Sequence, residues 1–220
     1  MYLSRCEINP RRRGARPLLA SPHALHAAVR FAFPRTELDS APGRVLWRLD
    51  SADHRHVLYT VSPQPPDFTH VVEQAGWPAT TGWQTRDYMP LLNRLAEGQA
   101  WHFRLTANPT HSGRRRPGAS TQRFGHVTVE QQATWLVSRS PGWGFAIPEA
   151  KDSAPMSLVH QRAVRTFQRK EARVTVTTVV FEGTLEVTDP QLLRQALIGG
   201  MGHAKAYGCG LMTLAPITPP

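Results

Sequence analysis

The 220-residue chain is 40% hydrophobic and 19% charged, an ordinary globular composition that argues against disorder over its whole length. Its 26 lysines and arginines outnumber its 16 acidic residues, and the resulting net charge of +10 favours a polyanionic partner, because phosphate neutralisation releases counterions. No apolar run reaches the roughly 20 residues of a membrane span, so we expect a cytoplasmic protein without a membrane partner.

The first half of the chain predicts the element order βαββαβ, which is typical of a ferredoxin-like fold. Apolar and polar residues alternate over residues 2–8, as in a half-buried strand. A helix is expected to begin at Ser21 and Pro22, because serine caps free amides and proline fits the first helical turn, and to end before Pro34. The other predicted elements of this half are strands over 44–49, 56–61 and 101–107 and a helix over 88–96.

The second half predicts a similar order after a polar and basic segment over 108–124, which indicates a linker or mobile loop. The β-branched residues of 174–180 predict part of a long strand. The predicted elements are helices over 129–137 and 190–198 and strands over 156–167, 173–187 and 211–217. We therefore expect an α+β protein with two tandem ferredoxin-like folds, divided into an N-terminal domain 1–110, a basic linker 111–124 and a C-terminal domain 125–220.

The helix that begins at Ser21 carries a strip of ionisable side chains. Leu25 and Val29 recur at helical spacing, and His23, His26 and Arg30 lie at or beside the edge of their apolar face. An imidazole exchanges protons near neutral pH, so both histidines are candidate acid–base groups. Two other interpretations stay open, namely surface histidines in a chain that has 10 of them and a weakly indicated zinc pair.

On RNA, this strip predicts a specific reaction. A base removes the proton of a ribose 2′-OH, the oxygen attacks the adjacent phosphorus, and an acid protonates the departing 5′-oxygen. Arg30 is a candidate for stabilising the charge that develops on the phosphate. The reaction requires no metal and no other cofactor, and DNA cannot undergo it because it lacks the 2′-OH.

A glycine-rich segment over residues 199–210 separates the last predicted helix from the last strand. It lacks the Gly-Lys-Ser/Thr ending of a Walker loop and has the reverse element order of a dinucleotide fingerprint. A helix cap and a sharp turn explain one or two glycines, and we expect the others to allow close packing against RNA or against the first domain. The residues of this segment are Gly199, Gly200, Gly202, Gly208 and Gly210, with Lys205 among them.

Several segments, taken in chain order, resemble CasE, the CRISPR RNA endonuclease of the type I-E Cascade complex. They are Asn9 and Pro10 after the first strand, His26 in its helix, FRLTANP at 103–109, FEGTL at 181–185, TDP at 188–190 and GMGHAKAYGCGL at 200–211. The glycine-rich segment is the most specific of them. The resemblance implies two ferredoxin-like folds and metal-independent cleavage at the 3′ base of the CRISPR repeat stem-loop, which leaves a 2′,3′-cyclic phosphate and a 5′-hydroxyl.

The resemblance also implies partners and catalytic residues. The enzyme would keep its product, the mature crRNA, and enter Cascade with it; alone, we expect it to be a monomer. His26 matches the catalytic histidine of the family. His23 stands where the family commonly has a tyrosine, so it either replaces that tyrosine as proton acceptor or phosphate contact, or contributes little.

Basic residues on the first loop, on the linker and in a hairpin of the second half are candidate RNA contacts, since the family reads the major groove of its RNA hairpin with a basic β-hairpin. Alternate residues of a strand share a face, so about half of the hairpin cations are expected to touch RNA and the others to be solvated. The candidates are Arg11, Arg12, Arg13, Arg16, Arg30, Arg114, Arg115, Arg116, Arg162, Arg165, Arg169, Lys170, Arg173 and Lys205.

Two other functions compete with an endoribonuclease. The first is a non-catalytic protein that binds or scaffolds an RNA hairpin, and the second is a ribosome-associated structural protein. The charge fits both, and His26 separates the enzyme from the non-catalytic binder.

Overall fold

The computed structural model describes residues 1–34, 44–52, 54–78, 82–114, 116, 118, 120–149, 157–169 and 172–217. In this part of the chain the strands are β1 (Tyr2–Ile8), β2 (Leu46–Ala52), β3 (Arg55–Ser62), β4 (Trp83–Asp87), β5 (Ala100–Ala107), β6 (Thr110–Gly113), β7 (Gln122–Gly125), β8 (Phe145–Ala146), β9 (Ser157–Arg169), β10 (Ala172–Val187) and β11 (Met212–Pro216). The α-helices are α1 (Ala15–Ala20), α2 (Pro22–Phe31), α3 (Thr69–Ala75), α4 (Met89–Arg94), α5 (Val129–Arg139) and α6 (Pro190–Gly199). None of the described helices is both long enough and apolar enough to cross a membrane.

The first sheet has the strand order β2-β3-β1-β4, with antiparallel neighbours. Strand β1 is central, and its Cys6 pairs with Leu58 on one side and Trp83 on the other. The helices α1, α2 and α3 contribute buried apolar residues, such as Leu25 and Val71, to the core beneath this sheet. The sequence of elements and their order in space are those of a ferredoxin-like fold.

The second sheet repeats the same plan. Its order is β11-β5-β10-β8, and the long strand β9 also pairs with β10. Helix α5 begins with a capping box in which Thr128 and Gln131 bind each other's backbone amides. Helix α6 begins at Asp189, whose carboxylate accepts from the amides of Gln191 and Leu192 at 2.8 and 3.0 Å. The predicted α+β class with two ferredoxin-like folds is therefore confirmed.

The strand predicted over 101–107 belongs to the second sheet, not to the first. It forms β5, which pairs with β10 and β11, while β4 closes the first sheet and α3 supplies its second crossover helix. The sequence pattern missed β4 because this edge strand has no buried residue and no apolar alternation. The predicted domain boundaries at residues 110 and 125 stay a prediction.

The segment predicted as an irregular linker contains regular structure. Strands β6 and β7 pair as a two-stranded ribbon, with Thr110 opposite Gly125 and Gly113 opposite Gln122. Short strands rich in glycine and polar residues lack the alternation that sequence reasoning depends on. The basic residues of this region are therefore attached to a ribbon.

The two halves share buried contacts. Leu46 and Val61 of the first sheet belong to the core that contains the second sheet. Arg48 of β2 is only 1% exposed. Its guanidinium donates to the carbonyl of Arg104 at 2.7 Å and to that of Leu211 at 3.2 Å, both in the second half, and pairs with Asp50 at 2.7 Å. This arginine therefore fastens one half to the other.

Candidate nucleic-acid interface

Helix α2 presents the predicted catalytic strip. Ser21 accepts from the amide of Ala24 at 3.3 Å and Pro22 occupies the first turn, which confirms the predicted helix start. Leu25 and Val29 are buried against the first sheet. The helical periodicity then leaves His23 and Arg30 exposed and His26 half-buried.

His26 contacts a buried tryptophan of the first sheet, against which α2 packs. The indole Nε1–H of Trp47 donates to His26 Nδ1 at 3.3 Å. Trp47 lies on β2 and is 3% exposed. His26 is therefore anchored on one side by the fold and is also part of the protein surface.

The glycine-rich segment packs against the same strand β2. A Cβ on Gly208 would lie 2.7 Å from Cζ3 of Trp47, and a Cβ on Gly200 would lie 2.6 Å from Cδ2 of Leu46. Both glycines have positive φ, of 84° and 78°. The structure thus shows close packing against the first half, one of the two expectations for this segment.

The other glycines of the segment have different surroundings. A Cβ on Gly210 would meet the carbonyl oxygen of Met201 at 2.7 Å, and one on Gly202 would lie 3.3 Å from the ring of Trp135. Gly199 has no atom within 4 Å of such a Cβ. It is the last residue of α6, and Gly200, with a φ of 78°, caps the helix, as the helix-cap interpretation predicts.

Positive charge collects around this segment. Lys205 is half-buried, and burial together with nearby Arg44 lowers its pKa from the usual value. Partial burial, and then the charges of Arg123, Lys205 and Arg139, lower the pKa of His203. Clustered cations are an electrostatic footprint of phosphate binding.

Strand β9 approaches the glycine-rich segment from the second sheet. The ring of Phe167 meets that of Tyr207 edge-on, with the centroids 4.7 Å apart. Arg165, whose side chain is exposed, lines a small cleft of about 50 Å³ together with Trp47 and Gly208. The structure therefore brings α2, β2, the glycine-rich segment and β9 together at one place.

The other predicted hairpin cations are distributed as follows. Arg162 is exposed and its Nη2 donates to the carbonyl of Val127. Arg173 is exposed on β10. Arg169 is the last residue of β9. Lys170 lies outside the described residues.

The arginines of the first loop and of the ribbon are mostly exposed. Arg12 differs, because its Nη1 donates to the carbonyls of Val72 and Gly76, at 3.2 Å each, and so fastens the loop to the end of α3. Arg115 lies outside the described residues. The exposed members are Arg11, Arg13, Arg16, Arg114 and Arg116. Arg16 lies in helix α1, so its predicted position on the first loop is wrong.

Sequence reasoning missed five residues of this interface. Trp47 carries no sequence signal, because a tryptophan in a strand is typical of a core. Arg44, Arg123 and Arg139 are isolated in the sequence, and only the fold brings them near the glycine-rich segment. His203 lies within that segment, but a single histidine among glycines gives no sequence signal of its own.

The described residues contain no group of three His, Cys, Asp or Glu side chains arranged as metal ligands. What the interface does combine is an imidazole on a helix surface, a cleft between two sheets, and several cations. This combination fits a chain of phosphates better than a compact small molecule.

Comparisons with known proteins agree with this geometry. A family model described as CRISPR associated protein matches residues 1–216. The CRISPR-associated endoribonuclease Cse3 of Thermus thermophilus is 30% identical over 98% of this chain and 100% of its own length. The CRISPR system Cascade subunit CasE of Escherichia coli is 28% identical over 99% of this chain and 100% of its own length. A structure of Cse3 bound to 19 nt RNA superposes with a TM-score of 0.83 at 30% identity, covering 98% of this chain and 100% of that one.

Proposed function

This chain belongs to the CRISPR-associated protein family that includes Cse3 and CasE, and on that premise we propose that it is the endoribonuclease that cuts the CRISPR repeat stem-loop at its 3′ base. The resemblance to CasE predicted from the sequence is thereby confirmed. Cse3, which matches 98% of this chain, is named an endoribonuclease. A structure of Cse3 bound to RNA has the same fold as this chain. Another is a Cascade subunit, which supports assembly of this protein with crRNA and other Cascade subunits.

The proposed reaction is an internal transesterification without a metal. The 2′-oxygen forms a bond to the adjacent phosphorus while the bond from phosphorus to the 5′-oxygen breaks. A base takes the proton of the 2′-OH, and the 5′-oxygen takes up a proton as it leaves. The products are a 2′,3′-cyclic phosphate and a 5′-hydroxyl, so atoms and charge balance without an added water.

His26 and His23 are the residues proposed to serve these two oxygens. Residues three positions apart on a helix lie about 5 to 6 Å from each other at Cβ, which is close enough for both to reach one linkage. Arg30 follows on the same helix and is exposed, so it is proposed to stabilise the charge on the phosphate.

The cations around the glycine-rich segment and on β9 are proposed to hold the RNA. Arg165 lines the cleft beside Trp47, and Lys205 begins the short turn 205–207 that contacts β2. Arg173 is exposed on β10 and extends the positive surface along that strand. Because A-form RNA hides its base edges in a narrow major groove, shape and phosphate contacts are expected to dominate away from the hairpin end.

One observation carries the proposal: helix α2 places half-buried His26 against Trp47, which lines a cleft that residues of both halves form and that Arg165 also lines. The experiment measures the single-turnover rate at which the unaltered protein and the His26→Ala variant cleave the repeat RNA in the presence of EDTA. We expect the substitution to lower the rate by about 10³-fold or more, because an acid–base group is lost, while the affinity for RNA stays nearly the same.

Two controls make this test specific. A 2′-deoxy substitution upstream of the scissile phosphate should stop cleavage, and cleavage that continues on that RNA would contradict the mechanism. Activity that disappears only when metal is removed would indicate a metal nuclease. Full cleavage by His26→Ala would show that His26 is not the acid–base group of the reaction. No cleavage by the unaltered protein would leave a non-catalytic RNA-hairpin-binding protein.

A further inference from the structure

Trp47 connects His26 to the second half of the protein. One edge of its indole donates a hydrogen bond to His26 Nδ1 at 3.3 Å. The benzene part of the same indole faces Gly208, where a Cβ would lie 2.7 Å from Cζ3 and 3.0 Å from Cη2. The ring is therefore fixed between α2 of the first half and the glycine-rich segment of the second.

This hydrogen bond has a chemical consequence for the imidazole. An indole N–H only donates, so Nδ1 of His26 offers its lone pair to Trp47. In a neutral imidazole the proton is then on Nε2. A proton on Nδ1 would place two N–H groups against each other and break the bond, so the contact selects one tautomer and one ring orientation.

We infer that Trp47 is a positioning residue that holds neutral His26 with its proton on Nε2, so that the histidine meets the scissile linkage as a hydrogen-bond donor. The inference rests on the proposed function of His26 in RNA cleavage. A donor at Nε2 stabilises negative charge on the departing 5′-oxygen or on the phosphate. It follows that the proton of the 2′-OH goes first to another acceptor, for which His23 is the neighbouring candidate.

Gly208 is part of the same arrangement. Any side chain at this position would clash with the indole of Trp47. The indole cannot move away freely, because it is packed in the buried core of the first half. The glycine-rich segment of one half thus controls the orientation of the histidine in the other half. This gives a reason for a glycine at 208 that a helix cap does not supply.

The test combines a spectroscopic and a kinetic measurement on the full-length protein. Nitrogen-15 spectra of the neutral imidazoles report which ring nitrogen carries the proton, and a His26→Gln variant identifies the His26 signal. Trp47→Phe retains an aromatic ring but removes the N–H. In the unaltered protein, we expect His26 to carry its proton on Nε2. In Trp47→Phe, we expect His26 to populate both tautomers. This variant should cleave the repeat RNA about 10- to 100-fold more slowly than the unaltered protein and bind it with the same affinity.

Two matched controls separate positioning from a loss of packing. Trp83→Phe removes an indole from the same half, where Trp83 packs edge-on against Phe68, and should leave the His26 signal and the rate as they are. Gly208→Ala should alter the His26 signal and slow cleavage. Gly98→Ala introduces the same methyl at a similar positive φ of 78° with no atom within 4 Å, and should do neither.

The outcomes are distinguishable. A His26 signal that is unchanged in both Trp47→Phe and Gly208→Ala overturns the inference, whether or not the RNA is cut. A changed His26 tautomer with an unchanged cleavage rate also overturns the inference, because the tautomer that Trp47 selects would then have no effect on the reaction. If Trp47→Phe does not fold, Gly208→Ala decides alone. If the unaltered protein does not cut the repeat RNA, the proposed function and the donor role inferred from it fail together, and the spectra then decide only whether Trp47 sets the tautomer.

Discussion

The two sides of the proposed RNA-binding cleft are built differently. On the α2 side, Leu25, Val29 and Trp47 are buried and hold the surface histidine in place. On the side of the β9–β10 hairpin, Arg165 and Arg173 are exposed, and even the apolar Val164 is 68% exposed. One side is fixed by contacts between the halves, and the other is a strand pair with little packing around its cations.

The difference fits the separate demands of chemistry and binding. A proton-transfer group must be placed within a fraction of an ångström, and packing gives that accuracy. Phosphate contacts act through charge over longer distances and tolerate adjustment. Substitutions among the contacts between the halves should therefore lower stability, whereas substitutions on the hairpin side should weaken RNA binding.

The largest effect on stability is expected where the halves are fastened together. Arg48→Ala removes a buried guanidinium that bonds two carbonyls of the second half and pairs with Asp50. We expect the free energy of unfolding to fall by about 3 to 5 kcal/mol, because two buried carbonyls lose their donor and Asp50 keeps, among the described residues, only Arg104, 3.3 Å away, as a cation. Urea denaturation followed by circular dichroism measures it.

The control for Arg48 is an exposed ion pair on the same sheet. Arg55→Ala removes the partner of Glu7, 2.8 Å away, from a side chain that is 63% exposed. It should leave the denaturation midpoint almost unchanged. Equal losses from the two substitutions would contradict the view that Arg48 fastens the halves.

The sequence predicts helix α2 better than it predicts the contacts between the halves. Ser21, Pro22 and the apolar repeat of α2 placed His26 correctly, because caps and periodicity are local signals. The contact of Gly208 with Trp47 joins residues more than 150 positions apart, so no local pattern contains it. Likewise, β4 and the ribbon of β6 and β7 were missed because exposed strands need no apolar alternation.

A smaller loss of stability is expected within the glycine-rich segment. Gly210→Ala would bring a methyl group to 2.7 Å from the carbonyl oxygen of Met201, at a positive φ of 90°. We expect it to cost about 1 to 3 kcal/mol more than Gly98→Ala, which has a similar φ but open space. Thermal or urea denaturation of both variants tests this, and equal costs would show that only the backbone angle matters.

On the hairpin side, binding should change and stability should not. Arg165→Ala and Arg173→Ala together remove two exposed cations. We expect RNA affinity to fall and the slope of log affinity against log salt to become shallower by about one for each lost phosphate contact. Filter binding at several salt concentrations measures the slope, with Arg55→Ala as a control that removes one exposed cation outside the cleft lining. An unchanged slope would show that these arginines do not touch phosphate.

The smallest effect should appear in the pH dependence of binding. Partial burial and the cations Arg123, Lys205 and Arg139 lower the pKa of His203 from its usual value. RNA phosphates neutralise such cations, so the pKa of His203 should rise in the complex and binding should take up a proton. Because the complex binds the extra proton, the affinity for RNA should increase as the pH falls through the range just below the usual pKa of histidine. His203→Gln should remove this increment, whereas His54→Gln, an exposed histidine beside the β2–β3 turn, should retain it. An increment that survives His203→Gln would assign the proton uptake to a different group.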